Sequence, residues 1–172
     1  MFNDLREFIS KVDALGECKK VDGADWNIEM GTLSEIELTL PNPSMLLFDK
    51  IKGHEAGFRV VSNPFSTQRR AALALGLPPE TRGIELVKAM RQKIQEGSQL
   101  IPPVTVETGP VKENILTGDD VDLLKFPVPK WHAPDGGRYI GTGSMTITRD
   151  PDEGWVNLGC YRVQVHDRNT VT

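Results

Sequence analysis

The sequence holds only two cysteines, Cys18 and Cys160, far apart and with no C-x-x-C partner. Neither a disulfide framework nor a zinc knuckle is indicated, and a reducing cytoplasm is the expected location. No apolar run nears the roughly 20 residues that cross a bilayer. The opening MFNDLREFISKV alternates charged and apolar positions instead of showing the basic segment, apolar segment and cleavage site of an export signal, so no membrane partner is expected. Basic charge is not in excess either. A net charge of -4 and a pI near 5.4 oppose a nucleic-acid binder, which usually carries a basic face and a pI above about 9. His54, His132 and His166 stand singly, without the spacing that builds a metal site locally; His132, in WHAPDGG, is the one expected to border a substrate entrance. There is no G-x-x-x-x-G-K-[ST], and no G-x-G-x-x-G after a strand. Gly141-Thr142-Gly143-Ser144 is therefore read as strand, not as a phosphate loop.

What is present suffices for one domain plus a piece of a second: 172 residues, 38% of them hydrophobic. Leu5, Phe8, Ile9, Val12 and Leu15 share one helical face, with Asn3 or Asp4 as N-cap and Gly16 as stop. Glu17 to Val21 reads as a strand. Asp25 is placed to cap a helix from about Asn27 to Leu38, weakened by Gly31 and Thr32 and ended by Pro41 and Pro43. Met45 to Phe48 and Phe58 to Val61 read as strands of one sheet. Ser66 is the predicted N-cap of a helix ending at Gly76, and Pro78 and Pro79 lead into another with Ile84, Val87, Met90 and Ile94 on its apolar face, ending near Gly97.

From Ile101 the texture changes. IPPVTVETGPVKENILTG lacks helical periodicity, and only one turn, near Asp119 to Leu124, is suggested beyond it. A domain boundary is expected at about residue 104. Tyr139 to Thr148 and Trp155 to Val165 read as two strands joined by RDPDEG, and Thr170 to Thr172 as the first residues of another. An antiparallel β unit is expected to begin here and to need further strands beyond Thr172 before a barrel closes. Unpaired strand edges would then favour self-association.

Two adjoining stretches carry a family likeness: FPVPKWHAPDGGRYIGTGSMTITRDPDEG, Phe126 to Gly154, and WVNLGCYRVQVHDRNTV, Trp155 to Val171. The second contains Asn-x-Gly-x-Tyr-Arg as Asn157, Gly159, Tyr161 and Arg162. Together with LREFISKVDALGE and LLFDKIKGHEAGFRVVSNPFSTQRRAALALGL, they resemble the UbiD family of decarboxylases, in the expected order along nearly the whole chain. The resemblance implies an α+β fold: an N-terminal α/β domain over residues 1–104, then over 105–172 the first part of a split β-barrel, flavin-reductase-like, that binds prenylated FMN and is incomplete here. It also implies a carboxy-lyase, acting reversibly and non-oxidatively on an aromatic or α,β-unsaturated carboxylic acid with prenylated FMN, manganese (Mn2+) and potassium (K+). A flavin prenyltransferase would supply the cofactor, and a homo-oligomer is expected.

Carried over residue by residue, Asn157 is a metal ligand through its carbonyl oxygen, which suits a hard cation. Taken alone, a strand asparagine more often satisfies backbone groups at an irregularity. Arg162 is the catalytic residue, sitting near the flavin and the substrate carboxylate, where a permanently charged planar fork matches an oxyanion; without the motif it would read as a surface ion-pair partner. Cys160, Tyr161 and Arg162 are expected to line the cofactor, the Trp155 peptide oxygen to meet the monovalent cation, and Thr142 to offer a cofactor-facing hydroxyl. Core packing explains the Cys160, Tyr161 and Trp155 side chains equally well.

Asn157 and Arg162 are five residues apart, and a regular strand would send them to opposite faces. An irregularity is therefore predicted near Gly159 or Cys160. A glutamate metal ligand, an acidic proton donor and a second cofactor segment are expected beyond Thr172, so the 172 residues alone are expected not to turn over. The alternatives are a non-catalytic flavin-binding or assembly module and, less favoured, a flavin reductase.

Overall fold

The computed structural model describes residues 2–97, 102 and 104–172. Ile101 and Pro103 of the proline-bearing tract lie outside the described residues. Helix α1, Leu5–Ala14, is capped by Asp4, whose carboxylate accepts the Glu7 N–H at 2.8 Å, while Glu7 reaches back to the Asn3 N–H. Phe8 and Val12 are buried, Leu5 stays outside, and Gly16 ends the helix at φ 71°. Strand β1 is Cys18–Asp22.

Helix α2, Glu29–Leu38, starts later than the sequence suggests, because Asp25 turns the chain first by accepting the Asn27 N–H. Strands β2, Met45–Asp49, and β3, Val60–Ser62, join β1 in a sheet of order β1-β2-β3. Central β2 is buried from Met45 through Phe48 without alternation, as befits a strand covered on both faces. β3 is shorter than expected and shifted toward Ser62.

Helix α3, Gln68–Ala74, is capped by Thr67 and not by Ser66. The Ser66 hydroxyl is already committed, donating to Asn63 O and accepting from the Arg70 guanidinium at 2.6 Å. Helix α4, Gly83–Glu96, forms as its periodicity predicts, but Ile84, Val87, Met90 and Ile94 are all exposed. Short 3-10 turns follow at Pro110–Lys112, Gly118–Asp120 and Leu123–Lys125.

The chain divides into two compact, interleaved units: Met1–Lys20, Ile36–Leu47 and Val61–Thr117 in the first, Val21–Glu35, Phe48–Val60 and Gly118–Thr172 in the second. The first is centred on Phe8, Val12, Met45 and Leu73, with Phe2 and Phe65 rings against Phe8. In it the Arg70 side chain is fully buried and saturated with acceptors: Pro43 O, Asn63 O, Pro64 O, Ser66 Oγ and Glu17 Oε2. In the second, the buried apolar residues include Ala24, Met30, Phe48, Ile51, Val128 and Val165.

The expected long C-terminal strands are each broken. Strand β4, Arg138–Tyr139, pairs antiparallel with β7, Gln164–Val165, and β5, Met145–Arg149, with β6, Val156–Cys160. Residues 141–144, read above as strand, form a loop, because Gly141 takes φ 72° and leaves the extended region. Thr170–Thr172 does run as a strand-like edge: Thr172 exchanges both backbone hydrogen bonds with Gln164, at 2.7 and 3.0 Å. The whole is a mixed α+β chain.

Candidate functional site

Thr142, Trp155, Asn157, Cys160, Tyr161 and Arg162 all fall in the second unit, on one interrupted antiparallel ribbon. Its two ladders are separated by a mismatch, residues 140–144 on one side against 161–163 on the other. Five residues facing three cannot maintain a ladder, so the chain buckles there. The ladder is regular through Gly159 and Cys160, which pair with Thr146 and Met145. The predicted irregularity thus falls one residue later, at Tyr161, and it lies between Asn157 and Arg162 as the period-two argument requires.

Within β5 and β6 the register pairs Thr146 with Gly159 and Thr148 with Asn157 on one face, and Met145 with Cys160 and Ile147 with Leu158 on the other. Asn157 and Gly159 are half-buried, whereas Leu158 and Cys160 are exposed. The face of Asn157 is therefore the polar one. An Ala at 159 would put its Cβ 2.3 Å from the Tyr161 ring, so the ring folds back over the space that glycine leaves.

Thr142 lies on one side of the mismatch and Tyr161 and Arg162 on the other, where Ile140 N–H donates to Val163 O at 2.9 Å and Ser144 Oγ to Tyr161 O at 3.4 Å. The Arg162 guanidinium lies 5.6 Å from the centre of the Tyr139 ring and has no carboxylate partner among the described residues. Trp155 O accepts the Asp150 N–H at 2.9 Å and so closes the hairpin turn, leaving one lone pair. No hydrogen bond or ion pair joins Asn157 to Arg162 among the described residues. Nor do any three His, Cys, Asp or Glu side chains there cluster in a way that could hold a metal.

Sequence reasoning missed the group that braces this ribbon. Arg138 donates to Val128 O at 2.7 Å and to Phe126 O at 3.2 Å, and stacks 4.0 Å over Trp26. Burial lowers its pKa, but a guanidinium remains a cation. The only signal was an arginine inside an aromatic-rich stretch. His132 ties the preceding loop down, with Nε2 2.8 Å from Glu35 and its backbone N–H on Asp135. The Trp131 indole N–H is buried without an acceptor among the described residues.

A family model described as 3-octaprenyl-4-hydroxybenzoate carboxy-lyase N-terminal domain matches residues 9–90, and one described as the Rift-related domain of the same carboxy-lyase matches residues 103–172. The chain is 33% identical to pyrrole-2-carboxylic acid decarboxylase of Pseudomonas aeruginosa, over 98% of this chain and 35% of that protein. Vanillic acid decarboxylase of Sedimentibacter hydroxybenzoicus in its closed form superposes with a TM-score of 0.87 at 28% identity, over 99% of this chain and 37% of that one. An evolved dimeric form of a UbiD-class enzyme of Pelotomaculum thermopropionicum, in complex with prFMN, gives 0.76 at 29% identity, over 97% and 37%. The chain spans about a third of the length of these relatives.

Proposed function

The chain belongs to the UbiD family of carboxy-lyases, and from that membership we propose that it is the amino-terminal part of a prenylated-FMN-dependent decarboxylase. Its substrate class is an aromatic or α,β-unsaturated carboxylic acid. The observation that supports the reading is the mismatch in the ribbon, which ends the regular alternation that would send Asn157 and Arg162 to opposite faces. The donor set suits the cofactor: an amide oxygen on a half-buried polar strand face for a hard cation, and a guanidinium with no carboxylate partner among the described residues for an oxyanion.

When bound, prenylated FMN supplies the electron sink for breaking the carboxylate carbon bond. In this proposal Asn157 Oδ1 ligates Mn2+, the Trp155 carbonyl meets K+, and Thr142, Cys160 and Tyr161 line the flavin. Arg162 orients the substrate carboxylate and neutralises its charge. No carboxylate of this chain is assigned the proton step, and residues 1–172 alone are proposed not to turn over. The domain division at about residue 104 and the opening of a split barrel after it are part of the same proposal, supported by the junction of the two family models between residues 90 and 103. Cytoplasmic location and homo-oligomerisation belong to it as well.

The test is to express the protein with a flavin prenyltransferase and manganese and to weigh bound cofactor by native mass spectrometry. A full-length protein that includes residues 1–172 should carry prenylated flavin, with its Asn157→Ala and Arg162→Ala variants folding normally but losing it, and residues 1–172 alone should not retain it. A full-length wild type that binds no flavin, or variants that bind it fully, would overturn the assignment.

A further inference from the structure

The first unit contains a cavity of about 690 Å³, open on one side, that the decarboxylase reading does not use. Its size falls within the roughly 300–1,000 Å³ usual for small-molecule sites. Arg69, Arg70 and Arg82 line it, and Glu17 is the carboxylate among its lining residues. Three guanidiniums against one carboxylate leave an excess of two positive charges, in a chain whose net charge is -4.

The three arginines are not equivalent. Arg70 is buried and fully engaged, so it fixes the wall and contributes charge without being free to move. Arg69 Nη1 lies 3.1 Å from Glu17 Oε1 in an ion pair, and the residue is partly exposed. Arg82 is exposed and has neither an ion pair nor a side-chain hydrogen bond among the described residues. It also occupies the N-cap of α4 without a capping bond; the Gly83 N–H is taken instead by Gln68 Oε1 at 2.7 Å.

That position is electrostatically wrong for a cation if the fold alone is considered. The first turn of a helix favours negative charge, and Ser, Thr, Asp or Asn is preferred at the N-cap. An arginine there, lining a cavity that already carries two more against the single carboxylate of Glu17, adds like charge that Glu17 relieves only in part. An anion in the cavity would relieve it, and guanidinium forks match the oxygens of phosphate closely.

We propose that this cavity is an anion site for a doubly charged oxyanion of the phosphomonoester class, held by Arg82 and Arg69 with Arg70 as a fixed wall. None of the residues proposed for the prenylated-FMN site lines it.

The probe is radiolabelled inorganic phosphate in equilibrium dialysis against the intact protein, at constant ionic strength with chloride as competitor. Saturable binding of one phosphate per chain is expected, weakened about tenfold in Arg82→Ala and partly restored in Arg82→Lys. Asn157→Ala and Arg162→Ala should leave it unchanged. Because Arg82 is exposed, its substitution should leave the thermal melt in place, so a loss of binding is not a loss of fold. No saturable binding, or binding that survives Arg82→Ala, overturns the inference. Binding lost in Arg162→Ala and kept in Arg82→Ala would assign the phosphate to the ribbon and sink this site while leaving the decarboxylase proposal intact.

Discussion

Replacing Gly31 by alanine tests whether close backbone approach, and not helix propensity, governs α2. Propensity alone favours the change, since glycine inside a helix costs about 0.5–1 kcal/mol relative to alanine. The structure predicts the opposite. A Cβ at position 31 would stand 1.8 Å from Trp131 O, 2.6 Å from its carbonyl carbon and 2.9 Å from its Cα, all backbone atoms without a rotamer to escape into. Reaching even a 3.0 Å contact requires a retreat of roughly 1.2 Å. The neighbouring Lys130 is bonded on both sides, its O accepting from Ile28 N–H at 2.9 Å and its N–H donating to Trp26 O at 3.0 Å, and a shift of that size breaks both. Two backbone hydrogen bonds are worth about 1 kcal/mol each and overpacking costs about 1–3 kcal/mol. After the propensity gain, Gly31→Ala should destabilise by about 2–4 kcal/mol in urea unfolding followed by circular dichroism. It should also loosen residues 131–137, seen as faster amide exchange. A variant as stable as wild type, or more stable, would show that segment 130–131 is not held against α2.

Three further outcomes are expected. Arg70→Ala strips a buried cation from four acceptors and a carboxylate and should cost about 3–5 kcal/mol in the same assay, with Arg70→Lys unable to reproduce the planar fork; a loss below about 1 kcal/mol would refute the role of this cluster. For Glu37, burial pushes the carboxyl pKa up, but hydrogen bonds from Lys19 at 2.8 Å and from the Ser44 N–H at 2.7 Å outweigh it and leave it below the usual value. A depressed folded pKa means stability that is present above the unfolded value near 4.3 and is lost as pH falls through the folded one, so Glu37→Gln should flatten the acid limb of a stability profile below about pH 4.3; an unchanged slope counts against the pairing. Burial and, second, the Asp13 carboxylate raise the Cys18 pKa, whereas Cys160 is exposed. Iodoacetamide should therefore modify Cys160 first and Cys18 chiefly on unfolding, as read by peptide mass mapping.

Local signals carried much of the fold. The Asp4 cap, the Gly16 stop and the 3.6-residue spacing of α1 act over a few residues, so they were legible without knowledge of what packs on them. The same holds for β2. At Ser66 the local signal misled, because two adjacent hydroxyls compete for the cap and Arg70 claims one of them. The α4 spacing identified a helix but not its burial, since periodicity says which residues share a face and nothing about whether a partner covers it.

By itself the sequence determined the family, through Asn157, Gly159, Tyr161 and Arg162 in fixed order, and required a break in the strand that bears them, because a period of two is a property of any extended chain. Where the break falls was decided by tertiary structure: the five residues 140–144 and the three of 161–163 must fit between two ladders whose registers are set elsewhere. The same is true of Gly31, Arg138 and the three arginines around the first unit's cavity. Each depends on atoms from segments distant in sequence, such as Trp131, Trp26 and Glu17, and only the folded chain brings those within reach.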